Sequence, residues 1–236
     1  MVVPPIQPRG PDRPSAWFDE GMRHSPDLLR DLVARTATEL GPDAPTLCSP
    51  WTVRDLLAHL VVRETRPDTL PGIGLPLPPL QRHTERVQDE VAARPFAELV
   101  DQVRSGPPPW WPTRLPVLDR AVNVAELAIH HEDLARARPG WAPTDLPDPV
   151  PAQLWGTVRT AGRLLYRDAP CGVVVVAPGH GRAAVRRPPA GRGSVVLTGA
   201  PLELLLHAFG RDQVARVEAA GEDRDVQALS SHRRGA

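Results

Sequence analysis

The stretch NVAELAIHHEDLARA, residues 123–137, decides how this chain is read. Leu118, Ala121, Val122, Ala125 and Ile129 recur at three- and four-residue intervals, the spacing of a helix with one buried stripe. Glu126, His130 and His131 sit beside that stripe. Side chains four apart on a helix share a face one turn apart, so Glu126 and His130 point together toward a helical interior or its mouth. A carboxylate there is costly unless it is paired or holds a cation. A neutral imidazole in the same place is a good metal ligand.

Three more helical segments precede this one. Leu28, Leu29, Leu32, Val33, Ala37 and Leu40 form a stripe over 26–40, with Pro26 suited to a first turn and Gly41 to a stop. WTVRDLLAHLVVRE, 51–64, opens with Thr52 and Asp55 in capping-box spacing. His59 lies in that second helix between Leu57 and Leu60. Residues 66–82 carry too many prolines and glycines for a regular helix and are expected to be a long, functional loop. A third helix follows from His83, interrupted near Pro95, and the fourth opens at Pro116 and runs to about Arg138.

The character changes after PGWAPTDLPDPVP, 139–151, which reads as a domain linker. AQLWGTVRTAGRLLYR is a helix; GVVVVAP, RAAVRR and GSVVLTG are short runs between glycine turns, expected as a meander of strands; PLELLLHAFGR is a closing helix. The expected organisation is a tail over 1–22, a four-helix domain over 23–139, a small α+β domain over 140–225 and a polar tail over 226–236. The Pro-rich N-terminal tail is expected to be disordered, with Met22 as an alternative start.

Composition narrows the function. Acidic and basic residues balance at 28 each, which disfavours nucleic acid or an anionic membrane as partner. All the basic residues are arginine, so no Schiff-base or P-loop lysine is available. Two cysteines, Cys48 and Cys171, are too few for a disulfide framework and fit a reducing cytoplasm. No apolar run reaches the roughly 20 residues that span a bilayer, and the N-terminus lacks the apolar middle of a secretion signal. A small-molecule partner is the expectation, with the oligomeric state left open.

Taken from the residues alone, Glu126 and His130 are either a hydrogen-bonded pair or two ligands of a metal. His59 is either a satisfied core residue or the third ligand. A His, Glu, His set leaves one position open, as in catalytic rather than structural zinc sites, and bundle cores are established places for such sites. Cys48, just before the second helix, is read as a packed residue, a reactive thiol or an extra ligand. Arg63, four residues after His59, is read as a salt-bridge partner or a clamp for an acidic substrate. His131, Glu132 and Asp133 are expected behind the ligands or on a solvated face.

LCSPWTVRDLLAHLVVRE followed by NVAELAIHHEDLARA resembles the mycothiol-dependent maleylpyruvate isomerase family and, more closely, its actinobacterial metal-binding branch within the DinB-like four-helix bundles. The resemblance runs over about residues 24–220. It implies a DinB-like bundle followed by a small α+β domain similar to sterol-carrier-protein folds. It implies a divalent metal, zinc before cobalt, nickel or iron, held by His59, Glu126 and His130. It also implies mycothiol as a thiol cofactor whose thiolate the metal stabilises, with Arg211 as a candidate catalytic residue and Arg63 and Arg211 as cofactor contacts. A transferase or isomerase, a metal-dependent hydrolase and a non-catalytic metal-binding module all share this donor set. An enzyme requires a pocket that reaches the open position.

Overall fold

A computed structural model describes residues 25–69, 77–109, 111 and 115–232. The N-terminal tail, residues 70–76 of the 66–82 loop and the last four residues lie outside the described residues.

The first half is a four-helix bundle with a broken third member. Helix α1 (Ser25–Leu40) ends at Gly41, whose φ of 79° turns the chain while its N–H bonds the Ala37 carbonyl at 3.0 Å. Helix α2 (Val53–Thr65) starts from the expected capping box, with Thr52 and Asp55 each bonding the other's backbone N–H. The third helix begins earlier than the sequence suggests: α3 spans Pro78–Ala92 and takes two prolines into its first turn, where no intrahelical N–H is needed. It breaks at Pro95, and α4 (Phe96–Ser105) continues. Helix α5 (Pro116–Ala135) carries the quoted stretch. Helix α1 packs against α4 and α5, and α2 against α3 and α4.

The buried stripe of α5 differs from the expected one. Val124, Leu127, Ala128, Ile129 and Leu134 are buried, whereas Val122 is 43% exposed and Ala125 only half-buried. The helix is covered on two sides, by the bundle and by the second domain, so apolar spacing alone could not fix which stripe faces which neighbour. Polar burial is equally marked. Arg30, 1% exposed, donates to Glu64 at 2.6 Å and to both Asp119 oxygens at 3.0 and 2.8 Å. Asn123 donates to the same Asp119 at 2.7 Å. These ties join α1, α2 and α5 through groups that need one another to be buried.

The second half is α+β. Helix α6 (Val150–Leu165) precedes β1 (Gly172–Ala177), β2 (Gly181–Arg186) and β3 (Ser194–Thr198), then α7 (Pro201–Ala208), β4 (Glu218–Ala220) and α8 (Asp223–Ser230). The sheet order is β2-β1-β3-β4. It is not the expected meander: β1 and β2 form a hairpin, but β3 lies parallel to β1 on its other side, and β4 returns antiparallel to β3. The stretch read as a polar tail contains most of α8, which buries Leu229 and Asp225, the latter accepting the Gly193 N–H at 2.8 Å.

One buried cluster fastens the two halves. Arg136 pairs with Glu132 on its own helix and donates to both Glu203 oxygens on α7, at 2.9 and 2.7 Å, and to the Val214 carbonyl at 2.7 Å. The Trp141 ring stacks on the Arg136 and Arg216 guanidinium groups at 4.4 and 4.9 Å. No helix among the described residues is long and apolar enough to cross a membrane.

Candidate functional site

Between the halves lies a cavity of about 680 Å³. Its bundle wall includes Trp51, His59, Glu126 and His130; the second domain closes it with Phe209, Gly210 and Arg211; the Leu47–Ser49 loop forms its rim.

That loop is knitted in place by the backbone. The Leu47 N–H bonds the Asp133 carbonyl at 3.0 Å, the Val53 N–H bonds the Ala44 carbonyl at 2.9 Å, and the Thr46 hydroxyl donates to the Trp51 carbonyl at 2.8 Å. Trp51 is thereby set against His59, ring centroids 5.0 Å apart. On the opposite side, Gly210 adopts a φ of 78° after α7, and the Arg211 N–H bonds the Leu206 carbonyl at 2.9 Å. This left-handed turn sends Arg211 back toward α5.

The three residues singled out in the sequence come together. One ligand atom each from His59, Glu126 and His130 lies within 4.8 Å of the others. The His59 and His130 rings stand edge to face, centroids 5.3 Å apart. His130 Nε2 is 3.6 Å from Glu126 Oε2. Zinc ligands about 2.1 Å from a tetrahedral centre stand about 3.4 Å from one another, so the His130–Glu126 separation already suits a shared cation. Two imidazoles and a carboxylate are the right donor chemistry, and they lie on the wall of a cavity rather than in a closed core.

The electrostatics separate the two imidazoles. Burial, with the His130 charge, pushes His59 down to about 4, so it is neutral at physiological pH. For His130 burial acts the same way but is outweighed by hydrogen bonds to Asp133, Cys48 and Glu126, and its pKa lies well above the ordinary value. Burial would raise Glu126; the His130 hydrogen bond and the Arg63 charge overcome it and hold this carboxyl at about 2.

Each ligand has a support. Gln88 of α3 hydrogen-bonds His59. Arg63 pairs with Glu126 at 3.6 Å while donating to the Asn123 amide oxygen at 2.6 Å and the Val122 carbonyl at 3.1 Å. Arg63 therefore grips α5 beside Glu126. Asp133 faces His130 Nδ1 at 3.0 Å and accepts from Arg211 Nε at 3.0 Å and Nη2 at 2.8 Å. Cys48 lines the cavity, with Sγ donating to Asp133 at 3.1 Å and lying 3.5 Å from Arg211 Nη2. Cys48, His130 and Asp133 form a second donor cluster. The Arg211 guanidinium already fills the cation's place there, so a second metal is disfavoured.

Asp133 and Glu132 are fully buried rather than on a solvated face. His131 turns from the cavity to Thr36 at 3.1 Å and Glu132 at 3.0 Å. The role of Asp133 had one signal in the sequence, its position three residues after His130; that Arg211 would meet it had none.

Fold and site together define a helical bundle whose cavity, capped by an α+β domain, gathers two histidines and a glutamate. Residues 22–108 match the family model of the mycothiol maleylpyruvate isomerase N-terminal domain. The match includes His59 and stops short of Glu126 and His130. Two solved structures share the fold: the mycothiol-dependent maleylpyruvate isomerase, with a TM-score of 0.52, and its histidine-to-alanine mutant, with 0.54. Each is 17% identical, over 83% of this chain and 90% of the other. No curated protein matches the sequence.

Proposed function

We propose that this protein is a divalent-metal-dependent enzyme that works on a small thiol, mycothiol or a close analogue, as a thiol-dependent transferase or isomerase. His59, Glu126 and His130 hold the metal, zinc in the first instance. The observation that carries the reading is the convergence of these three side chains on the wall of an open cavity; a structural site would be closed over. A cation in this position supplies a lowered thiol pKa and hence a nucleophile at neutral pH. The chain's own residues do the rest. Arg63 fixes the Glu126 carboxylate, Gln88 and Trp51 fix His59, and Asp133 holds the Nδ1 side of His130 so that Nε2 faces the shared centre. The second domain, read as sterol-carrier-protein-like, shields the cavity from bulk water with Phe209 and Val214. A cytoplasmic, actinobacterial setting, where such a thiol is available, belongs to the same reading.

Titration of mycothiol into cobalt-substituted protein tests this. A thiol reaching the metal brings an intense sulfur-to-cobalt absorption; a spectrum unchanged at saturating thiol overturns the thiol-dependent assignment.

A further inference from the structure

We infer that Asp133 is a positioning residue for His130, and that Arg211, reaching across from the second domain, is the group that holds Asp133 in position. The inference rests on the metal site proposed above and concerns how that site is kept in shape. Asp133 is fully buried, yet both its oxygens are engaged. Oδ2 faces His130 Nδ1 at 3.0 Å and accepts from Cys48 Sγ at 3.1 Å and Arg211 Nη2 at 2.8 Å; Oδ1 accepts from Arg211 Nε at 3.0 Å. A carboxylate on one ring nitrogen fixes both tautomer and ring orientation, and so commits the other nitrogen to the metal. Here that other nitrogen is the one facing Glu126.

Arg211 is then not a free cation offered to substrate. Its Nε and Nη2 grip Asp133 in a bidentate pair, and its Nη1 donates to the Phe209 carbonyl at 2.8 Å. The left-handed turn at Gly210 aims it there. The backbone at residue 133 adds a second tie, because its carbonyl anchors the Leu47 end of the rim loop that carries Cys48. The second domain thus completes the metal centre without supplying a ligand: its docking is read by Arg211, passed to Asp133 and expressed as the orientation of His130.

The test is cobalt affinity and the visible spectrum of the full-length protein with Asp133→Asn, Arg211→Gln and both together. Loss of such a support costs about 10- to 100-fold in metal affinity. Asp133→Asn is expected to weaken cobalt binding by that factor and to alter the ligand-field bands. Arg211→Gln should weaken it less, Arg211→Lys should recover part of the loss, and the double variant should be no weaker than Asp133→Asn alone. Cobalt binding equal to wild type in Asp133→Asn overturns the inference. So do losses that multiply in the double variant, since Arg211 would then act by another route. Should Asp133→Asn fail to fold, the Gln and Lys variants at 211 decide: wild-type affinity and spectrum in both overturn it. Wild type that takes up no cobalt is a different failure, that of the metal site itself.

Discussion

The imidazole of His59, on the second helix, stands edge to face with that of His130, on the last helix of the bundle, ring centroids 5.3 Å apart. Nothing local in the chain brings them together; the packing of α2 and α5 around a shared cavity does. Their environments push the two rings in opposite directions, His59 down and His130 up, and this leads to a first prediction.

Metal binding should release a proton from His130. Its pKa is raised, so in metal-free protein the ring keeps its proton to higher pH than an ordinary imidazole, and a cation must displace that proton. His59, near 4, has none to lose above about pH 5. Titration calorimetry in buffers of different ionisation enthalpy should therefore report proton release on metal binding at pH 7, and affinity should fall as pH falls. A proton count of zero, with affinity flat between pH 6 and 8, contradicts the charge state assigned to His130.

Arg30→Met should destabilise the bundle strongly. It leaves Glu64 and Asp119 facing each other in the core without their shared cation, and breaking a buried ion pair from one side costs about 3–5 kcal/mol. Urea denaturation should show the loss as a lower midpoint. A change under about 1 kcal/mol would mean that water or relaxation already serves these carboxylates.

Thr52→Ala removes the hydroxyl half of the capping box that starts α2. The expected loss is about 1 kcal/mol. Because the same turn sets Trp51 against His59, metal affinity should fall slightly as well. A stability loss with wholly unchanged metal affinity would show that His59 is placed by α2 packing alone.

Much of this architecture was legible in the sequence for identifiable reasons. Apolar spacing, the Thr52 and Asp55 cap and the stop at Gly41 announced the bundle helices, because those signals are local. Pro78 and Pro79 misled, since a proline that breaks a helix interior is welcome in its first turn. Strand order did not show: β1 and β3 are Val-rich runs of the same kind whether they pair side by side or around a hairpin, and only the tertiary fold distinguishes the two. At the site, the Glu126 and His130 spacing was visible and His59 was within reach, but the ties from Asp133 to Cys48 and Arg211 join three distant segments. The tie to Arg211 exists only once the second domain docks.

The most direct measurement is elemental analysis of gently purified protein beside His59→Ala and Glu126→Gln. The account predicts about one divalent ion per chain in wild type and most of it lost in His59→Ala, with the far-ultraviolet dichroism of the helices retained. Wild type free of metal, or His59→Ala retaining a full complement, contradicts it.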